Sequence, residues 1–190
     1  MKRLLTLFVL ALAGCGPGGN GNLAAVKQQE ACRVALAYIV LAHETSSAKL
    51  PMMVVSSDSQ PLDPQYVEPV SKGFEKDPVP VPLLRQFAAG RGKSALTACP
   101  ELGAELTRRG IAHDRDGRKH DTGKAAPEPD GIDAEIMMVT LPVLSADGSE
   151  AVLEDGRVYG PEAGGGQIVH LRRRFLLGWQ VTDHNPTWVI

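Results

Sequence analysis

Seven of the chain's fourteen prolines fall between residues 51 and 82, at positions 51, 61, 64, 69, 78, 80 and 82. Each removes an amide donor and fixes φ, so a helix or interior strand running through this stretch would lose hydrogen bonds that it cannot replace. The stretch 51–82 is therefore expected to be irregular and extended, either a binding lid or a proline-stiffened wrap over the core. Regular structure must come from either side of it. Upstream, Leu23 to Thr45 contains neither proline nor glycine and is rich in alanine and leucine. It predicts the longest helix, with Cys32, Leu36, Ile39 and His43 on one face. Val34 to Leu41 is apolar all round, which leaves a buried strand as the alternative there.

Two shorter helices are predicted after the proline-rich stretch, Pro82 to Ala89 and Pro100 to Arg109. Each has proline near its start and glycine just past its end, at Gly90 and Gly110, the asymmetry expected from a missing N–H and a left-handed cap. Ile111 to Asp133 is polar, with His113, Asp114, Asp116, Lys119, His120 and Asp121 crowded together, and reads as a solvated loop.

From residue 134 to 190 the period changes to two. Met137, Val139, Leu141 and Val143 alternate inward from Glu135, and Asp147-Gly148 is a hairpin signal. Ser149 to Tyr159 follows as a second strand, broken at Asp155-Gly156 by a bulge or turn. Gly160 to Gly166 reads as a connection, Gln167 to Phe175 as a third strand with Val169, Leu171 and Phe175 inward, and a fourth strand opens at Gly178-Trp179. The expected fold is α+β, with N-terminal helices packed on a C-terminal antiparallel sheet of about four strands. A cone-like curved sheet is one form it could take.

Composition narrows the class of function. Twenty basic residues against 22 acidic ones give a formal charge of −2, without the basic excess that nucleic-acid phosphates select. No nucleic-acid partner is expected, and no apolar run reaches the roughly 18 residues needed to span a bilayer.

The N-terminus is more specific. Lys2 and Arg3 precede an apolar run from Leu4 to Ala13, too short to span, and Leu12-Ala13-Gly14-Cys15 follows at once. This order resembles a bacterial lipoprotein signal peptide with its lipobox. The resemblance implies that residues 1–14 are removed, that Cys15 receives a diacylglycerol thioether, and that the new amine is acylated with a fatty acid such as palmitate. Residues 15–22, with four glycines and a proline in Gly16-Pro17-Gly18-Gly19-Asn20-Gly21-Asn22, then form the lipidated cysteine and a flexible tether, and 23–190 a single domain. Gly16 stands where lipoproteins kept in the inner membrane carry Asp, so in a Gram-negative cell the implied address is the outer membrane, facing the periplasm. Removing Lys2 and Arg3 takes the formal charge from −2 to −4.

In an exported protein the two remaining cysteines, Cys32 and Cys99, face conditions in which disulfides persist, and a bridge between them is expected. Two separate buried thiols are the alternative.

The spacing of Pro142-Val143, Asp147-Gly148, Gly164-Gly165-Gly166, Leu171-Arg172-Arg173, Gly178-Trp179 and Trp188 resembles the C-terminal meander of small bacterial envelope lipoproteins of unassigned function. It is distantly similar to the sheet of the nuclear transport factor-like cone fold. Neither resemblance implies a chemistry.

Motifs for catalysis and cofactors fail on their spacing. Gly92-Lys93-Ser94 lacks the glycine five residues earlier that a phosphate loop needs, since Phe87 stands there. Asp114-x-Asp116-Gly117 lacks both ends of a calcium loop, with Ala112 and Gly123 at the first and twelfth positions. No cofactor and no resident metal are expected. Among surface features, Arg172 and Arg174 should share one strand face, spaced to hold a carboxylate or phosphate, with a solvated face that blocks edge pairing as the plainer role.

The reading that these residues favour is a non-catalytic, lipid-anchored module that binds a ligand, an envelope protein or a cell-wall component. The alternative is an envelope hydrolase or other enzyme using a histidine and carboxylate pair, with His170, His184 and Asp183 as nominal candidates and His43 as a further histidine in a regular segment. A purely structural protein is the third reading.

Overall fold

A computed structural model describes residues 19–46, 51–58, 62–90, 92–114, 135–160 and 163–189. Cys15, the lipobox and most of the polar 111–133 loop, including Asp116, His120 and Asp121, lie outside the described residues.

The chain is α+β. Helix α1 spans Gly19–Thr45, 27 residues, a length of about 40 Å. It begins inside the 15–22 stretch expected as a tether. Once the apolar turns downstream are packed, each further residue costs only helix propagation, which Gly19 and Gly21 weaken without preventing. The buried stripe is Ala31, Val34, Ala35, Tyr38, Ile39 and Ala42, one position round from the expected face. Cys32 and Leu36 are half-buried and His43 is exposed. The alanines decide this rotation, because their small side chains let the helix axis lie close to the sheet.

The remaining elements are β1 (Met52–Val55), a 3-10 turn (Pro64–Tyr66), α2 (Val67–Lys72), α3 (Val81–Ala89), α4 (Ala95–Ala98), α5 (Leu102–Arg108), β2 (Ala112–Asp114), β3 (Glu135–Val139), β4 (Val143–Leu144), β5 (Glu150–Gly160), β6 (Ala163–Arg174) and β7 (Gly178–Val189). The expectation of an irregular 51–82 is corrected. Pro51 precedes β1, Pro64 opens the 3-10 turn, and Pro69 and Pro82 sit in the first turns of α2 and α3. All four occupy positions where a missing N–H costs nothing, so the prolines punctuate structure rather than exclude it.

The sheet has seven strands where about four were expected, in the order β2-β1-β3-β5-β6-β7, with β4 paired to β5. From β3 to β7 the pairing is antiparallel, but β1 lies parallel to both β2 and β3. Residues 112–114, expected within a loop, form the parallel edge strand. The predicted second strand runs unbroken through Asp155-Gly156, and its register shift falls instead between Val158 and Gly160. Gly164 to Gly166 belong to β6 rather than to a connection. The first predicted strand ends early: Thr140 forms an isolated bridge to Ser94, and Leu141 N–H donates to the Lys93 carbonyl. Gly110 takes the left-handed conformation, with φ of +71°, whereas Gly90, with φ of −85°, does not.

Both faces of the sheet are covered. Val54, Met137, Val139, Leu153, Val169 and Leu171 pack against α1, α4 and α5. Val152 and Ile168 face the other way, against Val67, Phe74, Leu84 and Phe87 of the α2–α3 layer. This explains why four successive β6 residues, Ile168 to Leu171, are all buried. Phe175, expected to point inward, is 91% exposed, because β6 ends at Arg174 and no layer extends over the turn.

Cys32 and Cys99 form a disulfide, with Cα atoms 5.7 Å apart, that ties α1 to the residue following α4.

Candidate site at the junction of α1 and the sheet

Arg172 and Arg174 do not form a free anion-binding pair. Arg172 lies on the α2–α3 face, where its guanidinium sits 2.9 Å from Asp77 and 3.1 Å from Glu150. Two carboxylates neutralise it, and an incoming anion would have to displace them. Arg174 is exposed near the end of the strand. Sequence alternation placed the two arginines correctly on one face but could not show that Asp77, 95 residues earlier, folds over it.

The histidine and carboxylate candidates are also committed to contacts that hold the fold. His170 is fully buried, its Nδ1 3.0 Å from the Asp77 carbonyl oxygen and its Nε2 3.7 Å from Glu150. Phe74 packs edge-on to the ring. Asp183, opposite His170 across the β6–β7 ladder, accepts hydrogen bonds from the backbone N–H groups of Lys76 (2.7 Å), Asp77 (3.1 Å) and His184 (2.9 Å). Its shielding from solvent works against the charge, but these three donors outweigh it and hold its pKa below the ordinary carboxylate value. His170 and Asp183 thus anchor the 75–77 bend to the sheet. His184 is exposed and, one residue on, faces the opposite side.

The unbalanced polar cluster lies on that opposite side. Asp155 and Glu135 are both fully buried. The Tyr38 hydroxyl, from α1, donates to Asp155 Oδ2 at 2.7 Å, Gln167 Nε2 reaches the same oxygen at 3.2 Å, and Arg157 Nε reaches it at 3.0 Å. Arg157 also donates to Glu135 Oε1 at 2.9 Å, whose second oxygen accepts from Ser46 at 3.1 Å. Burial, then the Asp155 charge and the hydrogen bond to it, push the Tyr38 phenol well above its usual range. Burial opposes the charge of Arg157, but Asp155 and Glu135 outweigh it and raise its pKa.

Two carboxylates share one guanidinium, a formal charge of −1. Asp155 Oδ1 is buried with no hydrogen-bond donor among the described residues. An unmet buried acceptor is costly, and a carboxylate more so. Asp155, Arg157 and Gln167 line a cavity of about 460 Å³, whose other walls include Tyr159, His184, Pro186 and Trp188. It sits at the end of the sheet beyond the C-terminal turn of α1. Such a cavity, with a partly apolar wall and a few convergent polar groups, has the form of a small-ligand site.

These residues were readable in principle. Glu135 shares its strand face with Met137 and Val139, and Asp155 shares its face with Ala151 and Leu153, so continuing the inward alternation places both acids in the core. The signal is a charge on the apolar face of a strand.

A second cavity of about 570 Å³, on the α3 side, is lined mainly by apolar groups, including Leu62, Tyr66, Phe87, Ile168 and Trp188. Among the described residues no group of three or more His, Cys, Asp or Glu could hold a metal ion, and no helix is long and apolar enough to cross a membrane. No protein-family model matches the chain, and neither curated proteins nor solved structures give a match to it.

Proposed function

We propose that this protein is an exported, lipid-anchored envelope protein whose cavity beside Asp155 binds a small cationic group, a primary ammonium or a guanidinium. The observation that supports the binding reading is an open cavity walled by Asp155, Arg157 and Gln167, set against a cluster that among the described residues holds one more carboxylate than cations. A ligand ammonium seated there would supply the missing positive charge, and Asp155 Oδ1, buried without a donor among the described residues, is the acceptor it would reach once the wall opens. Tyr159 adds aromatic surface of the kind that receives a cation or its alkyl stem. The preference is opposite in sign to that expected from the arginines. It suits an amine-bearing cell-wall peptide or a polyamine. The alternative hydrolase draws no support from its nominal residues, since His170 and Asp183, neighbours across the ladder, are buried and both engaged with the 75–77 bend, and His184 faces the opposite side.

The lipobox, Leu12 to Cys15, supports the anchored reading, and Gly16 supports the outer membrane as its address in a Gram-negative cell. Metabolic labelling with palmitate should mark the wild type and miss Cys15→Ala. Equal labelling of both would overturn the anchor. For the cavity, calorimetric titration with Nα-acetyl-lysine amide should give saturable binding, while the same compound acetylated on its side-chain amine should give none. Nitrogen-15 NMR should place the shifts at Asp155, Gln167 and His184. Equal behaviour of the two compounds, or shifts elsewhere, would overturn the site.

A further inference from the structure

The turn between β6 and β7 exposes three consecutive large apolar side chains, Phe175 (91%), Leu176 (89%) and Leu177 (67%). Hairpin turns are normally polar, as the Asp147-Gly148 turn of this same chain is. Leu176 even adopts a positive φ, +67°, a conformation that favours glycine or asparagine. Neither folding nor turn geometry accounts for these residues, since none packs on the core and a polar sequence would suit the turn better.

The surroundings indicate what they meet. Arg174, exposed, has no ion-pair partner among the described residues, and Arg173, also exposed, lies 3.9 Å from Glu30. Lys27 and Arg33 are exposed on the adjacent part of α1, Arg33 paired with the same Glu30 at 3.4 Å, while Asp147, in the neighbouring turn, is bonded to Ser145 and Ser149. An apolar tip with basic groups behind it matches a bilayer surface with anionic headgroups, where the apolar groups enter the acyl boundary and the arginines meet phosphate.

The direction of α1 brings the chain's N-terminal end to the same side. Glu30 accepts from Trp179 Nε1 at 3.1 Å, at the start of β7. Tyr38 meets Asp155, and Ser46 meets Glu135 beside Arg157, which pairs with Gly165, itself opposite Val189 at the end of β7. The helix therefore runs along β7 from the hairpin end, and the 11 residues from Gly19 to Gln29 project past Glu30 by about 16 Å. Ala24, Ala25 and Val26 are exposed on this projection. Cys15 is four residues before the helix, within about 14 Å of its first residue even when fully extended.

We propose that Phe175, Leu176 and Leu177 form a second membrane contact, which inserts into an anionic bilayer beside the N-terminal end of α1. The inference rests on the reading that Cys15 carries lipid, and it adds an orientation: α1 and the hairpin point at the membrane, and the cavity beside Asp155 faces away from it. The lipid alone would leave the domain free to swing.

The test uses the full lipidated chain carrying Leu176→Cys, labelled with an environment-sensitive fluorophore, in vesicles of phosphatidylethanolamine and phosphatidylglycerol that contain nitroxide-labelled lipid. Lys72→Cys, on α2, is the control. The label at 176 should shift to the blue and be quenched at least about threefold more than the label at 72. Omitting phosphatidylglycerol should reduce the effect. Equal quenching at the two positions would overturn the proposal. So would a blue shift at 176 without lipid quenching, which would mean that a second copy or a protein partner covers the turn. Palmitate incorporation in the same preparation separates the two readings: lipid on Cys15 with no quenching at 176 removes this inference alone. Quenching at 176 in a Cys15→Ser, Leu176→Cys chain, with no lipid found on the parent, removes the anchor alone.

Discussion

The Tyr38 hydroxyl donates to Asp155 Oδ2 at 2.7 Å, joining the middle of the first helix to a strand 117 residues later. Tyr38→Phe keeps the ring and deletes the donor, leaving Asp155 with fewer partners in a buried site. The expected loss is about 1–3 kcal/mol, measured by urea unfolding. In the wild type, spectrophotometric titration should find one of the three tyrosines still protonated past pH 10 until the chain unfolds, because burial and the Asp155 charge raise the Tyr38 phenol. In Tyr38→Phe that resistant phenol should be gone.

The Cys32–Cys99 bridge closes a loop with a sequence separation of 67. Reduction, or Cys32→Ala with Cys99→Ala, should lower the unfolding free energy by roughly 4 kcal/mol. Mass spectrometry of the unreduced chain should recover the two cysteine peptides joined.

Gly166 lies under the indole of Trp188, and a Cβ there would collide with Nε1. At its cross-strand neighbour Gly156 a Cβ would stand 3.2 Å from the same ring. Gly166→Ala should therefore cost about 1–3 kcal/mol and Gly156→Ala less. Trp188→Leu should recover part of the Gly166→Ala loss, and a double-mutant cycle would read that coupling. Additive losses would show that the ring does not set the need for glycine.

Asp183 gains its stabilisation from backbone donors as a carboxylate, so its folded pKa lies below the ordinary value near 3.9. The folded state therefore binds this proton more weakly than the unfolded chain does. The contribution is complete above that ordinary value and fades as pH falls through it toward the folded pKa. Asp183→Asn should destabilise the protein at neutral pH. The gap from the wild type should narrow in thermal melts below about pH 4.

Legibility in the sequence followed the range of the interactions. The helix over 23–45, the helices near 82–89 and 100–109, the Asp147-Gly148 turn and the inward Met137, Val139, Val169 and Leu171 depend on local period and turn chemistry, and could be read. The parallel strands β1 and β2 could not. Met52 to Val55 and Ala112 to Asp114 are three or four residues long, and their partners lie far along the chain. Proline counting hid β1, because density says nothing of whether each proline falls inside an element or at its entrance. The face of Arg172 was read correctly, but its charge partners Asp77 and Glu150 are tertiary facts. Asp155 and Glu135 carried a local signal, an acid on an inward position. It pointed to burial without naming Tyr38 or Arg157 as partners.

The pairing of α1 with β7 also governs the order in which the chain can become a protein. Synthesis delivers the first helix early and the strand beside Glu30 and Trp179 last, 149 residues later. Until then the apolar stripe of α1 has no sheet to lie on, and its exposure invites association with other chains. Cys99, by contrast, precedes all of the long strands, so in oxidative refolding the bridge can fasten α1 to the α4–α5 segment while the sheet is still unmade. The crosslink then gives the chain a partly covered helix, and the closing β-hairpins meet a surface already held in place.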